Sequence, residues 1–108
     1  MARSTPPVSI TTERVPEGAV LTVAGSLDMA TADELEEACR QCVRAGGVVV
    51  VDLAGVSMCD STGLGAIVRA NRFAKAEGCQ FAVRAPRPYL VALFAMTGLN
   101  KVIEVRLH

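Results

Sequence analysis

The chain has 108 residues, with 11 Lys+Arg against 11 Asp+Glu and a formal net charge of zero, so it lacks the basic excess that grips nucleic-acid phosphates. It is 51% apolar, too much for a disordered chain, yet its only aromatic residues are Phe73, Phe81, Tyr89 and Phe94, too few for a base-stacking platform. The single histidine, His108, gives catalytic triads and imidazole metal sites little to build on.

Residues 1–7 read as a flexible N-terminus ahead of one domain over 8–108. No apolar signal-peptide core follows Met-Ala-Arg-Ser-Thr-Pro-Pro. No apolar run nears the roughly 20 residues of a membrane span. A cytoplasmic chain with no membrane insertion is expected.

Val8, Ile10 and Thr12 alternate with Ser9, Thr11 and Glu13, which predicts a half-buried strand. Pro16-Glu17-Gly18 is a turn, and Val20 to Gly25 is a second strand, so a hairpin is expected. Thr31 followed by Glu34 matches a capping box and predicts a helix to about Ala45, stopped by Gly46-Gly47. Ala32, Leu35, Cys39, Cys42 and Val43 recur on one face of that helix. The C-x-x-C therefore reads as packing, since no second C-x-x-C or histidine completes a metal site. No metal and no cofactor are expected.

Val48 to Leu53 predicts a fully buried central strand. A short segment, Ala54 to Cys59, leads to Asp60-Ser61-Thr62-Gly63. A second helix carries Leu64, Ile67, Val68, Asn71 and Ala74 and ends near Gly78. Gln80 to Arg84 is a strand. Pro88 opens a third helix that holds Leu90, Leu93, Phe94 and Met96 and ends at Gly98. Val102 to Leu107 is a last strand. The order β-β-α-β-α-β-α-β predicts an α/β domain with a mixed, mostly parallel sheet and an N-terminal hairpin.

Enzymatic motifs fail one by one. Val48–Asp52 has no phosphate loop to partner it, Gly63-Leu64-Gly65 has Val68 where the dinucleotide fingerprint needs Gly, and Ser61 has no histidine base. What remains is geometric. A right-handed crossover makes the second and third strands parallel, so Asp28 and Asp60 follow them at one sheet edge. Two carboxylates and several hydroxyls without a base suit a regulated contact surface, not catalysis. Ser61 sits at a helix start, where free N–H groups and the dipole favour an anion. On spacing alone, Asp60 or Ser61 is an N-cap; phosphorylation of Ser61 is the alternative, adding roughly −1.5 to −2 charges there. Arg69 and Arg72 are solvated helix positions or contacts for an acidic partner. Tyr89 and Phe73 are candidate interface anchors, with core packing the alternative for Phe73.

Gly25-Ser26-Leu27-Asp28, Val50-Val51-Asp52-Leu53, Asp60-Ser61-Thr62-Gly63-Leu64-Gly65 and Met96-Thr97-Gly98-Leu99 occur in that order. Together they resemble the STAS domain family, specifically its free-standing anti-sigma factor antagonists. The resemblance spans about Val8 to Leu107. It implies a bacterial, non-enzymatic partner switch that binds an anti-sigma factor/serine kinase and so frees a sigma factor. It implies phosphorylation at Ser61, which weakens the complex, and a phosphatase that resets it. The partner-binding residues it implies are Asp28, Asp60, Thr62 and Gly63, with Arg69 and Arg72 as the helix positions that could extend the surface. Cys59 stands where a larger apolar residue is usual, which leaves a small buried side chain or a redox effect open. The competing function is a constitutive STAS subunit of a membrane transport complex or sensory assembly.

Overall fold

The computed structural model describes residues 8–84 and 86–108. The segment expected to be flexible, 1–7, lies outside the described residues. The elements run β1 (Val8–Val15), β2 (Gly18–Leu27), α1 (Ala32–Ala45), β3 (Val48–Cys59), α2 (Ser61–Ala76), β4 (Phe81–Arg84), α3 (Pro88–Thr97), a 3-10 turn (Leu99–Lys101) and β5 (Glu104–Arg106). They form one α/β domain with the expected element order. The five strands lie in chain order across the sheet, β1-β2-β3-β4-β5. Only β1–β2 is antiparallel; each later pair is parallel.

This order determines where the core lies. Each parallel step moves one strand in the same direction, and right-handed crossovers then put the helices on one face of the sheet. Leu21, Val23, Val49, Val51, Leu53 and Val83 supply that face, and Leu35, Cys39, Ile67, Leu90 and Phe94 pack onto it. The alternate residues point to the other face. There Val50 and Ala82 are buried but stand outside the core cluster, while Val48 and Asp52 are half-buried. The central strand is thus less completely buried than its apolar run suggests. Cys39 and Cys42 are buried on the sheet side of α1, as their spacing required.

Several boundaries differ from expectation. Strand β2 starts at Gly18 and reaches Leu27. The segment from Ala54 to Cys59 is strand, continuous with the central run, because β2 is long enough to pair with it. Strand β5 is only Glu104–Arg106, since β4 offers just Ala82, Val83 and Arg84 as partners. Met96 is 81% exposed rather than core-facing; α3 is apolar nearly all round, and only Leu90 and Phe94 are buried. Gly98 ends α3 at φ 77, the left-handed cap that glycine adopts without steric cost.

Thr31 stands before α1, but the capping box does not form. Its side chain makes no cap bond to the helix. The hydroxyl donates instead to Ser26 C=O (2.7 Å) and accepts from Asp28 N–H (3.0 Å). The hydroxyl oxygen already accepts from Asp28 N–H, so its acceptor role goes to the strand exit and not to an N–H of the helix end.

Candidate functional site

Leu27 and Cys59 are paired in register at the ends of parallel strands β2 and β3. The next residues, Asp28 and Asp60, therefore leave the sheet side by side. The Asp60 N–H donates to Leu27 C=O (3.1 Å), which ties the two exits together. Asp28 turns back: its Oδ1 accepts from Ala30 N–H (3.0 Å), and its C=O accepts from Thr31 and Ala32. Asp60 turns forward as the N-cap of α2, with φ −99 and ψ −173, and its Oδ1 accepts from Gly63 N–H (3.0 Å). Of the two cap candidates, Asp60 is the cap.

That arrangement leaves Ser61 and Thr62 in the first turn with exposed side chains. Neither hydroxyl has a hydrogen-bond partner among the described residues. Their backbone N–H groups are the orphan donors every helix start carries. Gly63 explains how α2 comes so close to β2. A Cβ there would lie 2.5 Å from Leu27 C=O, 2.9 Å from Leu27 Cβ and 3.0 Å from Cys59 Sγ. Gly63 is buried and presents no side chain to a partner; it sets the distance at which Ser61 stands from β2.

Asp52 was legible only as an acid in an apolar run, yet it shapes this edge. Thr22 pairs with Asp52 but Ala24 with Gly55, and Gly25 pairs with Val56 but Ser26 with Met58. Strand β3 thus carries two extra residues, and such bulges bend and twist a strand. Asp52 stabilises the first: its Oδ1 accepts from Ala54 N–H (2.9 Å), while Oδ2 accepts from Arg84 Nη2 (3.0 Å) and Nε (3.3 Å). The side-chain turn is local, but the need for it comes from pairing with β2.

Arg69 and Arg72 differ. Arg69 Nε donates to Glu36 Oε1 (2.8 Å), and Arg40 Nη2 donates to Glu36 Oε2 (3.2 Å). Arg69 therefore ties α2 to α1. Its hydrogen bond is the chief reason the Glu36 carboxyl lies below its ordinary value; partial burial opposes this, and Arg40 adds to it. Arg72 is exposed. Phe73 is half-buried, with the guanidinium carbons of Arg40 and Arg44 at 4.5 and 5.6 Å from its ring centre. Tyr89 is 44% exposed, and near the same edge Met29 and Met58 are 81% and 41% exposed.

Burial suppresses ionisation of the Cys39 and Cys59 thiols. Burial pushes the Cys39 thiol up to about 12, with a smaller push from the charges of Cys42 and Glu36. Burial, and then the charge of Asp60, pushes Cys59 up to about 11. Both stay protonated at neutral pH, and the thiolate is the reactive form. No group of three His, Cys, Asp or Glu among the described residues could hold a metal. No described helix is long and apolar enough to cross a membrane.

A five-stranded mixed sheet with three helices in this order is the fold of a known family. The family model described as "Mlab, STAS domain" matches residues 10–105. The chain belongs to the STAS domain family. Within it, the chain is similar to anti-sigma factor antagonists. The anti-sigma-B factor antagonist of Listeria monocytogenes is 36% identical over 85 residues, covering 78% of this chain and 75% of that protein. The one from Bacillus subtilis is 31% identical over 83 residues, covering 77% and 76%. The crystal structure of an anti-sigma factor antagonist from Mycobacterium paratuberculosis superposes with a TM-score of 0.84 at 28% identity, covering 98% of this chain and 92% of that one.

Proposed function

We propose that this chain is an anti-sigma factor antagonist switched by phosphorylation of Ser61. Unphosphorylated, it binds an anti-sigma factor that is also a serine kinase, and the sigma factor is freed. The observation that carries this reading is the Ser61 hydroxyl: exposed, unbonded, and set in the first turn of α2 beside a carboxylate that already does the capping. In the transfer, Ser61 Oγ attacks the γ-phosphorus of ATP, the bond to the ADP oxygen breaks, and the serine proton passes to a base on the kinase. The chain is substrate, not catalyst. A phosphatase that hydrolyses phosphorylated Ser61 resets the switch.

The physical basis is local charge. A phosphate adds roughly −1.5 to −2 charges at a helix N-terminus, where orphan N–H groups and the dipole accommodate it. The fold is therefore preserved. A partner surface matched to Asp28, Asp60, Thr62 and the outward side of α2, including Arg72, meets a changed field. Like charge across an interface costs several kcal/mol, of order, when desolvated.

The test is incubation with the cognate kinase and ATP, followed by mapping of the phosphate. One phosphate at Ser61, absent in Ser61→Ala, is expected. Equal incorporation into Ser61→Ala overturns the assignment. A stable complex with a transport ATPase, with no phosphate added, replaces this reading with that of a constitutive subunit.

A further inference from the structure

Strand β4 pairs with β3 only from Val49 to Asp52. Beyond that, from Leu53 to Cys59, β3 has no strand on its β4 side among the described residues. This half, paired on its β2 side only, delivers Asp60 and Ser61. Two of its backbone groups are held by side chains at the start of α3. Arg87 Nε donates to Ala54 C=O (3.0 Å), and Cys59 N–H donates to the Tyr89 hydroxyl oxygen (2.6 Å). The following amide, Asp60 N–H, is held from the other side by Leu27 C=O. The two successive peptides that lead into Asp60, Met58–Cys59 and Cys59–Asp60, are thus held by α3 and by β2.

We infer that Tyr89 is a positioning residue for the phosphorylation of Ser61, acting through the Cys59 N–H to set the direction in which Asp60 and Ser61 leave the sheet. This rests on Ser61 being the phosphosite. A strand end paired on one side only opens locally at lower cost than one paired on both, and ordering it on binding lowers affinity. The phenol oxygen supplies that order in advance. Arg87, which lacks a side-chain cap bond to its own helix, serves the same strand at Ala54.

Tyr89→Phe separates the oxygen from the ring, which stays in place for any contact with a partner. Amide hydrogen exchange on the full chain should show Cys59 exchanging faster by about fivefold to tenfold, the worth of one ordinary hydrogen bond, with Val51 unchanged. In the kinase assay, KM for the Tyr89→Phe chain should rise by a similar factor with kcat unmoved. Val43→Ala, which loosens the core at the far end of α1, should leave KM as in wild type. Unchanged Cys59 exchange in Tyr89→Phe overturns the inference. So does faster exchange with KM and kcat both as in wild type. If the wild-type chain takes no phosphate at Ser61, the proposed function fails instead, and the exchange data alone then decide whether Tyr89 holds the strand.

Discussion

Helices α1 and α2 begin side by side at the carboxyl edge of β2 and β3, and their first turns are built in opposite ways. Each is preceded by an aspartate that leaves a strand, and each has a hydroxyl residue within three positions. At α1 the hydroxyl is turned inward. Thr31 is 1% exposed, with its oxygen bonded to Ser26 C=O and Asp28 N–H. At α2 the carboxylate of Asp60 takes over the capping, and the hydroxyls of Ser61 and Thr62 are left to solvent. One helix start uses its hydroxyl in structure; the other leaves it to solvent. Residue type alone does not separate the two, because both are short polar side chains at a helix entry. Partner geometry does.

The contrast predicts where substitutions will hurt. The largest stability loss should come from Gly63→Ala, where the new methyl group meets backbone and Leu27 at close range. Overpacking of this kind costs about 1–3 kcal/mol or more, and the melting temperature should fall by several degrees, about 4–8 °C per kcal/mol. Thr31→Val keeps the shape but leaves Ser26 C=O and Asp28 N–H without their partner. It should destabilise by about 1–3 kcal/mol in urea titration. Ser61→Ala should change stability by less than about 0.5 kcal/mol. If Ser61→Ala and Thr31→Val cost the same, the two helix starts are not built differently.

A small, pH-dependent effect is expected at Glu36, which links the helices through Arg69 and Arg40. The side chains of these arginines are 48% and 34% exposed, so solvent screens the pairs and Glu36→Gln should cost at most about 1 kcal/mol. Its folded-state pKa is lowered, so its contribution is fully present above the unfolded value, about 4.3. It is lost as pH falls through the lower folded value. The stability gap between wild type and Glu36→Gln, measured by denaturant titration, should therefore be constant near neutrality and close only below about pH 4.3.

Much of this architecture was legible because hydrophobic periodicity is a local property. The α1 face of Ala32, Leu35, Cys39, Cys42 and Val43 is the buried set, and it removed the C-x-x-C from consideration as a metal site. Asp28 and Asp60 share one edge because β2 and β3 are parallel, and the two bulges of β3 bring them level. The bulges of β3 were not legible, since they arise from register against β2, and the strand from Ala54 to Cys59 was missed with them. The capping box fails because the Thr31 oxygen accepts from Asp28 N–H, three residues back, while its proton goes to Ser26 C=O. The Cys59–Tyr89 bond joins residues thirty positions apart and leaves no pattern in the chain. Met96 was misplaced because an all-round apolar helix has no periodicity to mark its inner face.

Zero net charge at first only excluded partners. Beside an exposed serine that the fold does not use, it is the resting state that the proposed charge switch requires. The direct measurement is the affinity of the anti-sigma factor/kinase for this chain with and without phosphate on Ser61, at about 0.15 M salt, where charges are screened beyond about 8 Å. The phosphorylated chain should bind at least about tenfold more weakly, a difference of about 1.4 kcal/mol, while melting within a few degrees of the unmodified one. Equal affinities, with the phosphate confirmed at Ser61, would contradict the switch.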